Sequence, residues 1–257
     1  MSTAFKKAFT FPAELVAKDT LAARLEAGAS LNHNRITRNV GGLFWQVFKD
    51  SNCCEVFTSD MAVRSEVKKN KSGEKGGYYL PDVVVVCGEK PHEEVFKYCY
   101  QVEGGDQKTI ERVALTNPSL IVEVISDGTA AKDRGEKIDN YECITTLKEY
   151  LIIDQNSPRI TYFTKGGDNK WERVIEFLGF KDQLQGAQEY QKRDSVKRSI
   201  EVCLETGKMF EFIRDKDGVL IPIEEKDIDL NLFVLQYIKE ISIDFEIIYK
   251  HVIPPRD

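Results

Sequence analysis

The stretch Tyr79–Val86 has the sequence YLPDVVVV and places a carboxylate, Asp82, at the start of an apolar strand. A second stretch, Leu120–Ile125, has the sequence LIVEVI and carries Glu123 within it. Short continuous apolar runs rich in β-branched residues are typical of strands buried on both faces. Burying an unpaired carboxylate costs roughly several kcal/mol. Two carboxylates in core strands therefore indicate a nearby cation.

Length and composition indicate a soluble globular protein. At 257 residues the chain is long enough for one large domain, or for a domain with an appendage. Its composition is 42% hydrophobic and 30% charged, and no apolar run is long enough to span a bilayer. The first residues lack the apolar stretch of a secretory signal, so we expect a cytoplasmic location and no membrane partner.

Net charge and the numbers of histidines and cysteines argue against several classes of binding site. A formal net charge of -6 argues against attraction of the whole surface to nucleic acid, although a local basic face remains compatible with it. Three histidines argue against a multi-histidine metal centre. The six cysteines form no Cys-x-x-Cys pair, and we expect them to be reduced thiols.

Apolar spacing predicts a compact α/β core. A helical period predicts a first helix over residues 32–49, capped by Asn32 or Asn34, and a second helix that begins near Thr129. Most of residues 88–118 lacks a clean period and is predicted to be loop. Strands are predicted over residues 55–64, 79–87, 119–125, 149–154, 159–163 and 171–177. The order helix, three strands, helix, strand places both acidic residues on adjacent central strands. Beyond residue 179 the chain is more polar, and residues 183–198 are predicted to be helical.

Asp82 and Glu123 are the residues that we expect to carry chemistry. Mg²⁺ takes oxygen ligands and keeps several waters, so two carboxylates and a substrate phosphate suffice to hold it. A metal held in this way lowers the pKa of its bound water and neutralises charge on a transferring phosphate. A neighbouring lysine would orient the attacking water. The alternative is structural, with Asp82 ending a turn and Glu123 paired with a buried arginine.

The lysine of such a site is absent from the strand itself. In the pattern Pro-Asp…Asp/Glu-x-Lys the lysine follows the second carboxylate by two positions, and this chain has Ile125 there. The next segment supplies Lys132 and also Lys137, which shares a helix face with Asp133 and Tyr141. A helix packed on the sheet can deliver either amine to the site, and either lysine can equally be a solvated surface charge.

Several short strings, taken in order, resemble one known family. They are HNRITRN at 33–39, SDMAV at 59–63, LPDV at 80–83, LIVEVIS at 120–126, DRGEK at 133–137 and LKEYLIID at 147–154. Over residues 20–178 the chain is similar to the Uma-type family of restriction-endonuclease-like proteins, a branch of the PD-(D/E)XK nuclease superfamily. The Pro-Asp pair alone is a weak signal, whereas the ordered set is fairly specific.

The resemblance implies a fold and a domain organisation. The fold is a restriction-endonuclease-like α/β core of order α-β-β-β-α-β, a mixed central sheet flanked by helices, with a C-terminal insertion. The core would occupy residues 1–178. Residues 241–257 resemble the closing segment of the family, so residues 179–240 are predicted to be an insertion or appendage of unknown role.

The resemblance also implies a site. Asp82 and Glu123 would bind Mg²⁺, with Mn²⁺ as a possible substitute, and the lysine would be displaced onto the following helix at Lys137. His33 and Asp60 match positions that are often histidine and acidic in the family, although either can have a purely structural role.

Lys132 and Asp133 are further accessory candidates beside the displaced lysine. Two departures from the family lie close to the proposed site. Asp127-Gly128 replaces a common Pro-Ser, and Lys132 stands where the family often has an aromatic residue.

These residues predict a Mg²⁺-dependent endonuclease with DNA as its substrate, and a homodimer would be compatible with cutting two strands. Two alternatives remain open, an inactive nucleic-acid or protein-binding module on the same fold, or a hydrolase of another phosphoester. Arg35 and Arg38 are candidate phosphate contacts. The lysine-rich residues 68–75 are another, although a solvated hairpin is the simpler interpretation of that loop.

Overall fold

The computed structural model describes most of the chain in six segments, residues 30–50, 52–58, 61–65, 77–101, 107–125 and 134–252. Three accessory candidates, Asp60, Lys132 and Asp133, lie outside these segments, as does the lysine-rich loop at 68–75. No helix in the described segments is long and apolar enough to cross a membrane.

Strands make up most of the described regular structure. In chain order they are β1 (Cys54–Thr58), β2 (Ala62–Ser65), β3 (Gly77–Tyr79), β4 (Val83–Cys87), β5 (Glu93–Gln101), β6 (Gln107–Leu115), β7 (Leu120–Ile125), β8 (Glu149–Asp154), β9 (Arg159–Lys165), β10 (Trp171–Leu178), β11 (Arg198–Cys203), β12 (Lys208–Arg214) and β13 (Leu220–Asp227). The helices are α1 (Leu31–Phe48), α2 (Glu136–Glu142) and α3 (Phe245–Ile248), with 3₁₀ turns at Lys181–Gln183, Gln188–Tyr190 and Leu230–Phe233.

The strands form two sheets. Within the described segments, the larger sheet has the spatial order β1-β4-β7-β8-β9-β10-β11-β12-β13, and the smaller one has the order β3-β2-β6-β5. In the larger sheet β7 and β8 run parallel, as do β10 and β11, and the other neighbours are antiparallel. Strands β11–β13, from the predicted insertion at residues 179–240, therefore continue the sheet that begins with the core strands.

Helices cover both faces of the larger sheet. On one face α1 packs Ile36, Val40 and Phe44 against alternate residues of β4 and β7, and α3 joins the same core. On the other face α2 packs Ile138 and Tyr141 against the intervening strand residues. Because side chains alternate along a strand, a strand that is apolar on both faces, such as β4, can supply both cores. The order α1-β1-β4-β7-α2-β8 confirms the predicted restriction-endonuclease-like α/β fold.

The prediction that residues 88–118 are mostly loop is wrong, because β5 and β6 pair there as an antiparallel hairpin. In this hairpin an apolar side chain faces solvent and a charged one is partly covered. Val95 is largely exposed, whereas the side chain of its neighbour Glu94 is only partly exposed. Glu94 is held there by an ion pair with Arg64 and by the Tyr78 hydroxyl, 3.0 Å away. A charged residue on the covered side removes the hydrophobic alternation on which strand prediction depends.

Two other predicted elements also differ from the structure. Residues 55–64 form no single strand, because β1 joins the larger sheet and β2 the smaller one. Residues 183–198 are not one helix but a 3₁₀ turn, further turns and the start of β11. The guanidinium of Arg214 donates to the carbonyl oxygens of Tyr190, Arg193 and Val196, so tertiary hydrogen bonds replace those of a helix.

The expectation of reduced thiols is wrong for two cysteines, because Cys54 and Cys87 form a disulfide. They are directly opposed in the antiparallel pairing of β1 and β4, with their Cα atoms 4.1 Å apart. This register could not be read from the spacing of the cysteines along the chain. Cys143 and Cys203 remain thiols.

Candidate active site

The register of β4 and β7 brings the two predicted metal ligands to one end of the sheet. Val83 pairs with Val122, so one further step places Asp82 opposite Glu123. The backbone N–H of Asp82 donates to the Val122 carbonyl at 3.1 Å, and Asp82 Oδ2 accepts the N–H of Val124 at 2.7 Å. Both carboxylates are almost wholly buried, with exposures of 1% for Asp82 and 2% for Glu123.

The first turn of α1 is tied to the same end of the sheet. Ser30 is the N-cap in place of the predicted Asn32 or Asn34, and its hydroxyl accepts the N–H of His33 at 3.0 Å. The same hydroxyl donates to the side chain of Gln155, whose N–H donates to the Ile125 carbonyl at 3.0 Å. The N-cap hydrogen bond therefore joins the helix to the ends of β7 and β8.

This anchoring places His33 against Asp82. The Nε2 atom of His33 lies 3.2 Å from Oδ1 of Asp82, and the imidazole is partly exposed. Its Nδ1 atom is buried and has no hydrogen-bond partner among the described residues. The N–H of Val124 contacts Oδ2 and the imidazole of His33 contacts Oδ1, so these two groups together fix the orientation of the Asp82 carboxylate.

Helix α2 delivers Lys137 to Glu123. The Nζ atom of Lys137 lies 3.1 Å from Oε1 of Glu123, and both side chains are buried. Of the two lysines that the sequence offered, Lys137 is thus a buried neighbour of the carboxylate and not a solvated charge. The cation beside Glu123 is this lysine, in place of the arginine considered as the alternative.

Tyr141 is a site residue that the sequence did not single out. Its hydroxyl donates to Oε1 of Glu123 at 2.7 Å, the same oxygen that Lys137 contacts. Burial, together with the negative charge of Glu123, raises the pKa of Tyr141 well above its usual value, so the hydroxyl remains a donor. Tyr79 and Tyr150 pack edge-on against its ring.

The spacing of Lys137 and Tyr141 was a usable signal, because residues four apart share a helix face. Tyrosine at a helical apolar position, however, is more often core than site, and Tyr141 serves both purposes.

The donor set fits a hard divalent cation. The two carboxylates offer oxygen ligands, and Mg²⁺ accepts such a small set because it retains several waters. No group of three or more histidine, cysteine, aspartate or glutamate side chains in the described segments is arranged to hold a metal. Two carboxylates alone would suit a cation that shares its coordination with water and substrate, whereas a closed structural zinc site has four protein ligands.

The two arginines near the site lie along α1. Arg38 is exposed and donates to the Asn39 side chain at 3.0 Å. Arg35 is half-buried, and one nitrogen of its guanidinium finds no partner among the described residues.

Comparison with known proteins places the chain in a family. The family described as "Uma2: Putative restriction endonuclease" matches residues 23–204. The chain belongs to the Uma2 family. This confirms the resemblance drawn from the ordered motifs, and membership supports a nuclease-like function.

Two relatives come from Synechocystis sp., and both are described as uncharacterized. "Uncharacterized protein sll1609" is 36% identical over 153 residues, which cover 60% of this chain and 73% of the relative. "Uncharacterized protein slr1290" is 30% identical over 144 residues, which cover 56% of this chain and 63% of the relative.

A solved structure is also similar, the "crystal structure of a putative nuclease belonging to DUF820 from Anabaena variabilis". Its TM-score is 0.36 at 14% identity, and the match covers 58% of this chain and 68% of that chain.

Proposed function

We propose that this Uma2 protein is a Mg²⁺-dependent endonuclease that hydrolyses DNA phosphodiester bonds. The observation that carries the proposal is the buried Glu123–Lys137 pair, which lies at the end of the sheet where the register sets Glu123 opposite Asp82. Two carboxylates that hold a metal ion, with a cationic side chain beside them, are one arrangement that can hydrolyse a phosphodiester. Buried ionisable groups that converge at one place are candidates for a functional site.

The proposed roles follow from the contacts of each side chain. Asp82 and Glu123 would hold the Mg²⁺, which when bound polarises the phosphate and lowers the pKa of a water. His33 and the N–H of Val124 hold the Asp82 carboxylate in one orientation. Lys137 positions the attacking water and offsets the negative charge that develops on the phosphate oxygens.

The proposed hydrolysis is an in-line displacement at phosphorus. A water oxygen forms a bond to phosphorus, and the bond from phosphorus to the leaving sugar oxygen breaks. The proton lost by the water passes to the Glu123 carboxylate or to solvent, and the leaving oxygen takes up a proton from solvent. Since Lys137 and Tyr141 both contact Oε1 of Glu123, they hold that carboxylate in place as the proton moves.

Substitution of the two carboxylates tests the proposal. We expect Asp82→Ala and Glu123→Ala to abolish Mg²⁺-dependent cleavage of DNA while circular dichroism shows a folded protein. Undiminished cleavage by both variants would refute the site. A screen of DNA, RNA and nucleotides separates the DNA substrate from other phosphoesters. Metal binding without cleavage of any of them would favour the inactive module.

We also propose a cytoplasmic location and a homodimer. Sedimentation velocity with and without duplex DNA measures the oligomeric state.

A further inference from the structure

A groove of about 450 Å³ lies between α1 and the edge strand β1, next to the candidate active site. Its lining includes Asn34, Arg38 and Trp45 on the helix and Thr58 on the strand. Asn34 directly follows His33 in the chain, and Thr58 pairs with Val83, the residue after Asp82. One end of the groove therefore lies beside the start of β4, on the face of the sheet that α1 covers.

Trp45 is the most prominent side chain of this groove. It is 62% exposed, although tryptophan is mostly buried in folded proteins. The ammonium group of Lys49 lies 5.9 Å from the centre of its ring and 4.0 Å from the carboxylate of Asp50. The exposed indole offers a flat apolar surface on which an aromatic ligand can stack.

Thr37 provides a second, independent observation. The residue lines the groove and is only 7% exposed, and its hydroxyl oxygen is buried with no hydrogen-bond partner among the described residues. Buried hydroxyl groups in proteins are almost always paired. The wall of the groove thus contains a polar atom whose hydrogen bonding the protein itself leaves incomplete.

Two adjacent glycines of α1 differ in a way that points to an open groove. A Cβ atom added to Gly41 would lie 2.6 Å from a Thr58 methyl group, so close packing of helix on strand explains this glycine. A Cβ atom added to Gly42 would meet nothing within 4 Å. Glycine inside a helix is unfavourable, and packing gives no reason for it at Gly42. Its effect is to leave the groove free of a side chain.

The charge of this region fits a polyanion. The sequence of α1 contains two arginines and no acidic residue, although the whole chain has a net charge of -6. On β1, Val56 packs in the core beside α1 while Phe57 packs in the opposite core. Since side chains alternate along a strand, Glu55 projects away from the groove.

We infer that this groove binds an unpaired nucleic-acid strand, with a base stacked on Trp45 and a backbone phosphate on Arg38. The strand then runs past Asn34 toward Asp82. Base stacking on an exposed aromatic side chain, combined with cationic contacts to the backbone, is the usual means of binding single strands. Inside a duplex each base is stacked on both faces, so the interior bases cannot stack on Trp45. The inference rests on the proposed nuclease function and adds the path that the substrate takes.

Tryptophan fluorescence reports on this groove directly. The chain has two tryptophans, of which Trp171 is wholly buried, so a bound strand would quench mainly Trp45. We expect an oligothymidylate, titrated in EDTA so that cleavage cannot occur, to quench the wild type. Trp45→Phe should remove the quenching.

Affinities measured with a labelled oligonucleotide extend the test to single side chains. By anisotropy, Trp45→Ala should weaken binding about tenfold or more, as expected for the loss of one stacked base. Phe180→Ala, which alters an exposed aromatic residue outside the groove lining, is the matched control and should bind as the wild type does. Arg38→Gln should weaken binding and lower the slope of log affinity against log salt by about 0.7.

Substitution of Gly42 separates binding from folding. We expect Gly42→Leu to fill the groove and weaken binding of the oligonucleotide severalfold, with an unfolding temperature equal to or above that of the wild type. Gly167→Leu, at another glycine with open space around it, should leave binding unchanged. A loss of binding that only accompanies a loss of stability would overturn the role assigned to Gly42.

The outcomes distinguish this inference from the proposed function. Binding that leaves Trp45 fluorescence unchanged and is equally tight in Trp45→Ala overturns the inference, as does the absence of any oligonucleotide binding. Equal quenching by a blunt duplex overturns the preference for an unpaired strand. Cleavage that requires Asp82 and Glu123 would sustain the nuclease proposal in each of these cases. Conversely, a protein that binds the oligonucleotide through Trp45 but cleaves no substrate would support the strand-binding groove. The same result would refute the proposed nuclease function.

Discussion

Two glutamates on neighbouring strands, Glu123 on β7 and Glu149 on β8, are both almost wholly buried, yet their surroundings differ. Glu149 accepts hydrogen bonds from the Tyr162 hydroxyl and from the backbone N–H groups of Tyr237, at 2.9 Å, and Ile238, at 3.3 Å. Glu123 instead has a lysine and a tyrosine on one oxygen. The contacts of Glu149 attach the C-terminal segment at Tyr237 and Ile238 to the sheet. Those of Glu123 bring a lysine next to a carboxylate that lies opposite Asp82, at one end of the sheet.

The difference shows that burial alone does not identify a functional carboxylate. Apolar strands with an internal glutamate also occur at Glu176 in β10 and Glu201 in β11, and both of these side chains are buried. The strand pattern that drew attention to Glu123 therefore fits several structural residues equally well. A cationic neighbour does not single out Glu123 either, because Glu176 is paired with Arg159. What separates Glu123 is the register that sets it, with its lysine, opposite a second buried carboxylate, Asp82.

The largest expected effect separates the two glutamates by activity. Glu123→Gln should lower Mg²⁺-dependent cleavage about a thousandfold or more, because removing a metal ligand costs several kcal/mol of transition-state stabilisation. Glu149→Gln should retain cleavage and lose about 1–3 kcal/mol of stability, because a backbone N–H loses its acceptor. Nuclease assays and urea unfolding of both variants measure the two effects. An equal loss of cleavage in Glu123→Gln and Glu149→Gln would contradict the assignment of a catalytic role to Glu123 alone.

The next comparison concerns two buried lysines. Lys137→Met should lower the cleavage rate constant about 10²–10³-fold, because Lys137 contacts Glu123. Lys165→Met is the matched control, since Lys165 donates to the carbonyl oxygens of Glu142 and Ile144 and should affect stability alone. Single-turnover kinetics measures the rates. Lys132→Ala should have the smaller effect of the two candidate lysines, and an equal loss would contradict the assignment to Lys137.

The tyrosines on the two glutamates form a third pair. Tyr141→Phe removes the hydroxyl on Glu123 and should weaken Mg²⁺ activation about 10-fold or more, as is typical for residues that orient a metal ligand. Tyr162→Phe removes the hydroxyl on Glu149 and should leave the Mg²⁺ dependence unchanged. Cleavage rates across a Mg²⁺ titration test both. A shift in the Mg²⁺ midpoint for Tyr162→Phe would mean that the two clusters are coupled.

The smallest effect is a pH dependence of stability. Burial raises the pKa of Glu149 above its usual value, although the hydrogen bonds that it accepts oppose the shift. A raised folded-state pKa means that the folded protein binds the proton more tightly than the unfolded chain. This contribution is fully present below about pH 4.5 and is lost as pH rises through the folded pKa.

The stability of the wild type relative to Glu149→Gln should therefore fall as pH rises from about 4.5. Urea unfolding of both proteins between pH 4 and pH 8 measures the difference. A constant difference across this range would contradict the shift.

Local patterns were sufficient to predict the core of the fold and to nominate three residues of the candidate site. Asp82 and Glu123 lie in apolar strands, and the spacing of the next helix made Lys137 a candidate, so each signal was contained in a short stretch. The structure brings these residues together as expected. Tyr141 was not predicted as a site residue, because a tyrosine on an apolar helix face is indistinguishable from core until its hydroxyl has a partner.

The misassigned elements depend on distant contacts. The β5–β6 hairpin places Glu94 on its covered side through an ion pair with Arg64. Residues 183–198 give their carbonyl oxygens to Arg214 in place of helical hydrogen bonds. The disulfide between Cys54 and Cys87 depends on the pairing of β1 with β4. None of these interactions leaves a periodic trace in the sequence.

Crystals soaked in Mn²⁺ would test the distinction between Glu123 and Glu149 most directly, because an anomalous difference map locates the metal without an activity assay. We expect one peak that contacts the carboxylates of both Asp82 and Glu123, and none at Glu149. An Mn²⁺ peak elsewhere in the protein, or no peak at Asp82 and Glu123 in crystals of a protein that cleaves DNA with Mn²⁺, would contradict the proposed metal site.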